Sequence, residues 1–427
     1  MIGQLIQFFY IFLPMMFALS LIQGFDVHLS RLIVLGIFTL YIMRGLYKGG
    51  LYIPRGSVIF VAATLLVWTV CSLFYSDVPS WTARKIFFLM TFAPLCIMGV
   101  GYLMQKDDNE TRLIRAVVIG GFLAGTVALV QFSLQFFIGL ENLEKVWGTL
   151  TPFFLGGTFS QSVSAFNSWF VHVGNRDIFR AIGFFPDPHV FAFYTGLIAP
   201  FAFGLWVKSR HTLWTFIGLT IVLANLLSFS RGGQMGLLGG LLVGLVLLWP
   251  YFSRAKRHAV VGLCALSTLI LMIPGNTISE RFASSFSPQD TSNASRLEIW
   301  GQAFELLAQN PVTGVGLGAY AFAVDPQATY RTPAYAHNIL LDIGAELGFV
   351  GLALFVALVF RMIWLFLIRG STYSYCAIIS MSILLTHGLF DTPFFSVHVF
   401  PLILFLIALA AYYESTPQQN QKRHFQI

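Results

Sequence analysis

Long apolar runs constrain this chain more than any other feature of its sequence. A helix needs about 20 apolar residues to cross the hydrocarbon core of a bilayer, and about twelve runs here approach that length. Backbone polar groups inside a bilayer must pair within their own segment, so each run is predicted to be a helix. Hydrophobic residues make up 57% of the chain and charged residues 10%, whereas a soluble domain carries about 25% charged residues. The sequence therefore predicts an all-α, polytopic integral membrane protein.

The predicted membrane spans extend from the first residues almost to the C-terminus. The first run, Leu5 to Leu21, lacks the basic start and small-residue cleavage site of a signal peptide, so it is predicted to be the first transmembrane helix. All four cysteines lie within apolar runs, and no Cys-x-x-Cys pair occurs, which predicts neither a zinc site nor a disulfide framework. The predicted spans are 5–22, 31–47, 57–75, 86–104, 113–138, 186–207, 213–229, 234–251, 259–273, 339–368, 375–391 and 396–413.

The distribution of basic residues predicts which end of each span faces the cytoplasm. With both termini in the cytoplasm, most of the 25 Lys and Arg residues fall in inner loops, as the positive-inside rule requires. The formal net charge of +7 then reflects membrane topology, so no nucleic-acid partner is predicted. The outer basic residues are mainly arginines, whose planar fork suits phosphate oxygens; ion pairs with outer acids are the alternative. These arginines are Arg31, Arg84, Arg176, Arg180, Arg231, Arg281, Arg296 and Arg331.

Two outer segments are much longer than a turn, and they divide the chain into five regions. Compact proteins rarely keep long connections without a function. The first segment is rich in aromatic residues and is predicted to lie in the headgroup layer. The regions are N-terminal transmembrane helices 1–138, an interfacial segment 139–185, central transmembrane helices 186–273, a long outer loop 274–338, and C-terminal transmembrane helices with a cytoplasmic tail 339–427.

The long outer loop is predicted to contain an amphipathic helix that begins at Ser295. Ser295 and Glu298 match a helix capping box, and Asn310-Pro311 stops the helix. Arg296 lies in the first turn, where the helix dipole and the guanidinium group both attract anions. A surface helix with a solvated arginine is the alternative interpretation.

Three alternating glycines, Gly314, Gly316 and Gly318, follow this predicted helix. No strand precedes them, so they are not interpreted as a dinucleotide-binding fingerprint. They are predicted to permit tight turns or close approach of another backbone segment.

His337 is the main candidate for acid–base chemistry. It stands between Tyr335 and Asn338, where the long outer loop enters the membrane. A neutral imidazole there can accept a proton from a hydroxyl group near pH 7; a structural histidine at a helix start is the alternative. Asp342 and Glu346 follow at offsets that do not share its helix face, so no metal site is predicted.

Ionisable residues are sparse in the middle of the spans and gather at their outer ends. A proton- or ion-coupled transporter normally places such residues near the bilayer midplane. The distribution favours chemistry at the membrane surface, on a lipid-anchored substrate, over transport.

Six short motifs, in one order along the chain, make the sequence similar to the O-antigen ligase and polymerase superfamily. The similarity covers mainly residues 180–355, and the N-terminal spans share only their apolar character. The motif that begins at Arg180 is common in the polysaccharide polymerase branches of the superfamily, where Asn often follows the Pro, whereas this chain has His189. The motifs are Arg180-x-x-Gly183-x-Phe185-x-x-Pro188, Ser230-Arg231-Gly232-Gly233, Arg296-x-x-x-Trp300, Asn310-Pro311-x-x-Gly314-x-Gly316-x-Gly318, His337-Asn338-x-x-Leu341 and Glu346-x-Gly348-x-x-Gly351-Leu352.

The resemblance implies a multi-pass, GT-C-like glycosyltransferase of the bacterial inner membrane, with a long periplasmic loop. Its implied donor is a glycan on undecaprenyl diphosphate, and its implied acceptor is the lipid A core in the ligase branch. The polymerase branch uses another lipid-linked repeat unit, and a further branch uses protein hydroxyl groups. Both termini are expected in the cytoplasm and the active site on the periplasmic side.

Residue roles follow from the same resemblance. His337 is the expected general base, and Arg231 and Arg296 are expected to bind the diphosphate, with Arg180 assisting. Tyr335, Asn338 and Trp300 are expected to support them. The implied reaction inverts the anomeric centre and needs neither a metal ion nor a cofactor.

The lead hypothesis is therefore O-antigen ligase in lipopolysaccharide biosynthesis. An O-antigen or exopolysaccharide polymerase and a protein O-oligosaccharyltransferase remain open, because donor and base are shared. A lipid or solute transporter and a non-catalytic subunit of an envelope assembly machine are the hypotheses from other classes.

Overall fold

A computed structural model describes residues 1–22, 25–165, 168–173, 176–255, 257–258, 291–330 and 334–416. These residues are mainly helical, and their strands form two short antiparallel hairpins. The strands are β1 (Ala18–Ile22), β2 (Phe25–His28), β3 (Phe170–Val173) and β4 (Arg176–Phe179). The helices are α1 (Ile2–Phe12), α2 (Leu29–Tyr47), α3 (Ser57–Cys71), α4 (Pro79–Phe92), α5 (Pro94–Leu103), α6 (Asn109–Ile138), α7 (Leu140–Leu155), α8 (Gly157–Ala165), α9 (Pro188–Ser209), α10 (Leu213–Leu227), α11 (Arg231–Leu248), α12 (Thr291–Gln309), α13 (Tyr320–Val324), α14 (Ile339–Arg369), α15 (Thr372–His387) and α16 (Phe400–Ser415).

The predicted membrane spans correspond to apolar helices throughout the described residues. Within that part of the chain, seven helical segments are long and apolar enough to cross a membrane. Shorter apolar helices, including α10 and α16, accompany them. The prediction of an all-α, polytopic membrane protein is therefore confirmed, whereas the predicted span 259–273 lies outside the described residues.

Several predicted boundaries are wrong for local reasons. The first span was expected to reach residue 22, but α1 ends before Pro14, and residues 18–22 form β1, which pairs with β2. Proline cannot donate a backbone hydrogen bond. Pro94 interrupts the helical hydrogen bonds between α4 and α5, but Pro79–Leu103 as a whole is long and apolar enough to cross a membrane, in agreement with the predicted span 86–104.

Two further helix ends differ from the prediction. The amphipathic helix α12 begins at Thr291, one turn before the predicted start at Ser295, and it ends before Asn310-Pro311 as predicted. Helix α15 ends at His387, not at residue 391, because the chain turns there and the Gly388 carbonyl accepts a hydrogen bond from Ile339 N.

One end of the helix bundle is held by a polar network between α3, α14 and α16. Arg361 donates from Nη2 to Glu414 Oε1 at 2.8 Å, and Ser57 Oγ donates to the same oxygen. The other Glu414 oxygen accepts from Val58 N at 3.1 Å, at the start of α3. This end lies opposite the start of α14, where His337 and Asn338 are found, so the two ends of the bundle have separate polar clusters.

Helix α14 is broken at Gly348, and the break explains the alternating glycines. Gly348 has φ +67° and ψ −173°, which interrupts the helix inside the membrane. The break releases carbonyl groups, and unpaired carbonyls are costly in hydrocarbon. The Ala345 carbonyl accepts from Val315 N, the Glu346 carbonyl accepts from Gly316 N, each at 2.9 Å, and the Leu347 carbonyl accepts from the Trp68 indole at 2.9 Å.

The segment that satisfies these carbonyls lies very close to α14. Gly314, Gly316 and Gly318 all have positive φ, and a Cβ at Gly314 would lie 2.6 Å from the Ala345 carbonyl oxygen. Phe349 N also donates to the Pro311 carbonyl at 2.7 Å. The predicted close backbone approach is confirmed, and it fixes the outer loop onto the break in α14.

A glycine substitution tests this docking. We expect Gly348→Ala to lower the unfolding free energy by about 1–3 kcal/mol, because alanine is strained at this φ. The added Cβ would also lie 2.2 Å from the Val312 carbonyl oxygen. The measurement is the thermal unfolding temperature in detergent micelles.

The matched control is Gly301→Ala in α12, where a Cβ meets nothing within 4 Å. This change should leave stability unchanged or raise it by about 0.5–1 kcal/mol. Equal melting temperatures for the two variants would contradict the docking account.

Candidate functional site

Four chain segments meet at the other end of the bundle, and they carry most of the predicted site residues. The segments are the start of α9, the start of α11, the approach to α14, and the turn after α15. Ile339 N donates to the Gly388 carbonyl at 2.7 Å, and Asn338 Nδ2 donates to the Leu389 carbonyl at 3.3 Å. The turn 387–391 is therefore bonded directly to the start of α14.

The backbone on either side of His337 is held by side chains. Ala336 N donates to Asp342 Oδ1 at 2.6 Å, and the Ala336 carbonyl accepts from the Trp300 indole at 3.0 Å. Asn338 caps α14, since its Oδ1 accepts from Leu340 N and Leu341 N. Trp300 and Asn338 thus restrain the segment that carries His337, and their supporting role in a reaction stays a prediction.

His337 itself adopts a backbone conformation that few residues other than glycine adopt. Its φ is +50°. A non-glycine residue in this region costs about 1–3 kcal/mol and persists only where its surroundings impose it. The bonds to Ala336 and the cap at Asn338 provide that restraint. The imidazole ring lies 4.1 Å from the Tyr335 ring, centroid to centroid.

Asp391 lies between two imidazoles at the centre of the site. His337 Nδ1 is 3.5 Å from Asp391 Oδ1, and His189 Nδ1 is 3.8 Å from Asp391 Oδ2. Thr392 N donates to Oδ1 at 2.8 Å. Asp391 is only 8% exposed, so these donors and imidazoles replace the water that a carboxylate would otherwise need.

The electrostatics of the site keep this carboxylate charged. Burial favours the neutral acid, but the hydrogen bond from His337 and the nearby imidazoles outweigh burial and lower the pKa of Asp391 to about 2. Burial and the charge of Asp391 raise the pKa of Asp187 to about 6. Burial and the charges of Asp391, Asp187 and Asp342 raise the pKa of Tyr335 well above 10. Tyr335 therefore stays protonated, and its hydroxyl group donates a hydrogen bond to Asp391.

The predicted arginines approach the same turn from two other helices. The Arg296 guanidinium lies over the Phe390 ring, 5.9 Å from its centroid. Arg231 begins α11, and its neighbour Gly232 packs so tightly that a Cβ would lie 2.5 Å from His387 Cδ2 and 3.3 Å from Phe390 Cβ. The structure therefore brings the helix turns of Arg231 and Arg296 to the segment that contains Asp391.

Arg180 has a different environment from the other two arginines. It donates from Nη1 to the Ser168 carbonyl at 3.0 Å and from Nη2 to the Phe229 carbonyl at 2.6 Å. Phe229 stands two residues before Arg231, so Arg180 orients the turn into α11. The phosphate contact expected of Arg180 stays a prediction.

The segment after Arg180 is held by side chains of α6 and α7. Gln131 Oε1 accepts from Ile182 N at 2.9 Å and from Gly183 N at 3.2 Å. The Trp147 indole donates to the Gly183 carbonyl at 2.7 Å. These hydrogen bonds satisfy backbone polar groups of a non-helical segment that lies beside the membrane spans. The segment leads to Asp187 at the start of α9.

Three residues of the site had no role assigned to them by sequence reasoning. Asp391 follows α15 in a short turn, His189 lies in the first turn of α9, and Ser230 precedes a predicted arginine. Asp391 had a usable signal, because an acid next to membrane spans is a functional candidate. Its contact with His337 joins two sides of the bundle and is not visible in the sequence.

A conservative change tests the restraint on His337. We expect Trp300→Phe to speed amide exchange of residues 334–338 by about fivefold to tenfold, because one hydrogen bond is worth about 1 kcal/mol. The measurement is hydrogen–deuterium exchange in detergent, read by mass spectrometry. Trp364→Phe, at an exposed position of α14, is the control. Unchanged exchange in the Trp300 variant would show that the indole bond does not restrain this segment.

Comparison with known proteins shows which protein family matches the part of the chain that carries this site. Residues 215–356 match the family model described as O-Antigen ligase, a range that includes Arg231, Arg296 and His337. A Rickettsia conorii protein with the provisional name polysaccharide ligase is 28% identical over 178 residues, covering 36% of this chain and 39% of that protein. A Rickettsia bellii protein with the same provisional name is 29% identical over 148 residues, covering 33% of this chain and 34% of that protein. The chain thus aligns with well under half the length of these relatives.

Proposed function

We propose that this chain, which belongs to the O-antigen ligase family, transfers a glycan from a lipid diphosphate carrier to an acceptor hydroxyl group. The family predicted from the six sequence motifs is confirmed. In the specific form of the proposal, the donor is a glycan on undecaprenyl diphosphate and the acceptor is the lipid A core. The enzyme lies in a bacterial inner membrane, and its site faces the periplasm.

One observation carries the proposal. The His337–Asp391 pair and the helices that carry Arg231 and Arg296 all contact the turn 387–391. His337 contacts Asp391, Arg296 lies over Phe390, and α11 packs on the same turn beside Arg231. A glycosyl transfer to a hydroxyl group needs a base on the acceptor side and positive charge on the leaving-group side. Both are supplied by residues at one end of the bundle.

The base is His337. Its Nδ1 faces the ionised Asp391, which leaves Nε2 for the acceptor hydroxyl. In the proposed step, Nε2 takes the hydroxyl proton as the acceptor oxygen bonds to the anomeric carbon. Asp391 stabilises the imidazolium that forms, as buried carboxylates do in other acid–base pairs. The distance of 3.5 Å is at the outer limit of a hydrogen bond and is expected to shorten when substrates bind.

The leaving group is the lipid diphosphate, which keeps the electron pair of the broken anomeric C–O bond. Arg231 and Arg296 offset its negative charge, and a preorganised donor of this kind contributes about 100-fold or more to a rate. Arg231 also stands at the N-terminus of α11, where backbone N–H groups favour an anion. Because guanidinium groups supply the positive charge, the proposed reaction needs no metal ion, and attack opposite the diphosphate inverts the anomeric centre.

The ligase reaction is preferred over polymerisation because the relatives in Rickettsia carry the name polysaccharide ligase. A polymerase or a protein O-oligosaccharyltransferase would use the same base and the same diphosphate site. Only the acceptor distinguishes the three reactions, so the acceptor is varied in the experiment.

A reconstituted transfer assay tests the proposal. Purified protein, undecaprenyl-diphosphate-linked glycan and lipid A core should yield glycosylated core in the presence of EDTA. His337→Ala, Arg231→Ala and Arg296→Ala should each lower the rate by about 100-fold or more. His172→Ala is the matched control, because His172 is exposed and pairs with Asp177 on the interfacial hairpin.

Full transfer by the His337 variant would remove the histidine from its role. Transfer to a second lipid-linked glycan or to a protein hydroxyl, but not to the core, would replace the ligase assignment. Uptake of the donor into proteoliposomes without covalent change would support a transporter.

The role of Asp391 has its own test. Its pKa of about 2 means that it is ionised across an assay range of about pH 5 to 9. Asp391→Asn keeps the size of the side chain but removes the charge that favours imidazolium. We therefore expect kcat to fall at least about tenfold and the acid limb of the pH–rate profile to move to lower pH. An unchanged acid limb would show that Asp391 does not act through the base.

A further inference from the structure

We propose that His189 is a positioning residue that connects the carboxylate beside the base to the turn that carries Arg231. The proposal rests on the proposed function, and it assigns a role to a residue that contacts both Ser230 and Asp391. His189 would set the relative position of the acceptor-side base and the diphosphate-side arginine.

The connection is made by one imidazole nitrogen. His189 Nδ1 lies 3.0 Å from Ser230 Oγ and 3.8 Å from Asp391 Oδ2. The other oxygen of Asp391 faces His337 at 3.5 Å. A continuous series of side chains therefore runs from His337 through Asp391 and His189 to Ser230.

Ser230 extends this series of contacts to α11. Its Oγ accepts from Gly233 N at 3.1 Å and so caps the helix that begins with Arg231. An N-cap fixes the direction of the first helical turn. Ser230 is completely buried, so its hydroxyl group depends on protein partners, and His189 is one of them.

His189 is itself held in place from its backbone. Its N–H donates to Asp187 Oδ1 at 2.8 Å, and Asp187 caps α9. The backbone of His189 is therefore fixed at the start of α9. Its imidazole would not shift together with Asp391 or Ser230 if either side chain moved. A group on such an element holds its partners within the narrow tolerance that catalysis needs.

The charged and titratable groups around His189 come from every element that packs on it. Asp391, Arg180, Arg296 and His337 all interact electrostatically with the imidazole, and His387 does so from the end of α15. When Asp391 is ionised, a proton on Nδ1 is favoured, because it points toward both Ser230 Oγ and the carboxylate. Nδ1–H then donates to Ser230 Oγ, and the electrostatic attraction to Oδ2 restrains Asp391.

A double-mutant cycle tests this role. His189→Ala and Ser230→Ala should each slow glycan transfer and weaken binding of undecaprenyl diphosphate by about tenfold, and the double variant should lose little more than either single variant. His189→Asn should keep both properties within about threefold, because its amide nitrogen can replace Nδ1 as the donor. A merely structural role would not produce the non-additivity or the rescue by asparagine.

The matched control pairs His189→Ala with Ser371→Ala. Ser371 caps α15 at the other end of the bundle, so those two effects should add. Additive effects of His189→Ala and Ser230→Ala, or unchanged transfer and binding in His189→Ala, would overturn the proposal.

The two readouts separate this proposal from the proposed function. Wild-type protein that binds undecaprenyl diphosphate but transfers no glycan would overturn the proposed function. The double-mutant cycle measured by binding alone would then still decide the role of His189. Wild-type protein that does not bind undecaprenyl diphosphate would overturn both.

Discussion

The structure depends on one constraint, which is that every backbone polar group within the membrane needs a partner. Helix α14 breaks at Gly348, and the three carbonyls released by the break are paired by Val315, Gly316 and Trp68. An unpaired carbonyl in hydrocarbon costs several kcal/mol, so the outer loop cannot leave this position freely. The segment 311–316 is therefore an integral part of the membrane fold.

The same docking explains why His337 is rigid. The docked loop directly follows α12, and α12 carries the indole that bonds to the Ala336 carbonyl. On the other side, Asp342 in α14 accepts from Ala336 N. His337, the proposed base, is thus restrained by the helix that it precedes and by the segment bonded to the break in that helix. This is how a strained φ of +50° is maintained at His337.

Charge balance at the site centres on Asp391. A carboxylate with 8% exposure is stable as an anion only because two imidazoles, a tyrosine and a backbone N–H surround it. Arg296 and the helix turn of Arg231 approach the same turn from other helices. In the proposed function, acid–base chemistry and anion binding would therefore involve different helices that share one turn of backbone. The proposed connection through His189 and Ser230 would fix the position of Arg231 relative to His337.

The sequence predicted the helices well because a bilayer allows few alternatives. Apolar length alone located the spans, and the errors occurred at Pro14 and at the turn after His387, where local chemistry ends a helix. Family motifs pointed to His337, Arg231 and Arg296 because those residues lie in short recognisable patterns, and the roles of these residues stay a prediction. Asp391 and His189 were missed because their importance comes from contacts between segments that are far apart in the chain.

What the sequence determined by itself is the membrane class, the approximate helices and the family, since all three depend on local composition or on short motifs. Only the tertiary structure decided that Asp391 faces both His189 and His337, and that Arg180 orients a turn through backbone carbonyls. The physical reason is that pairing of polar groups in a membrane is satisfied between segments, and no local pattern specifies which segments will meet.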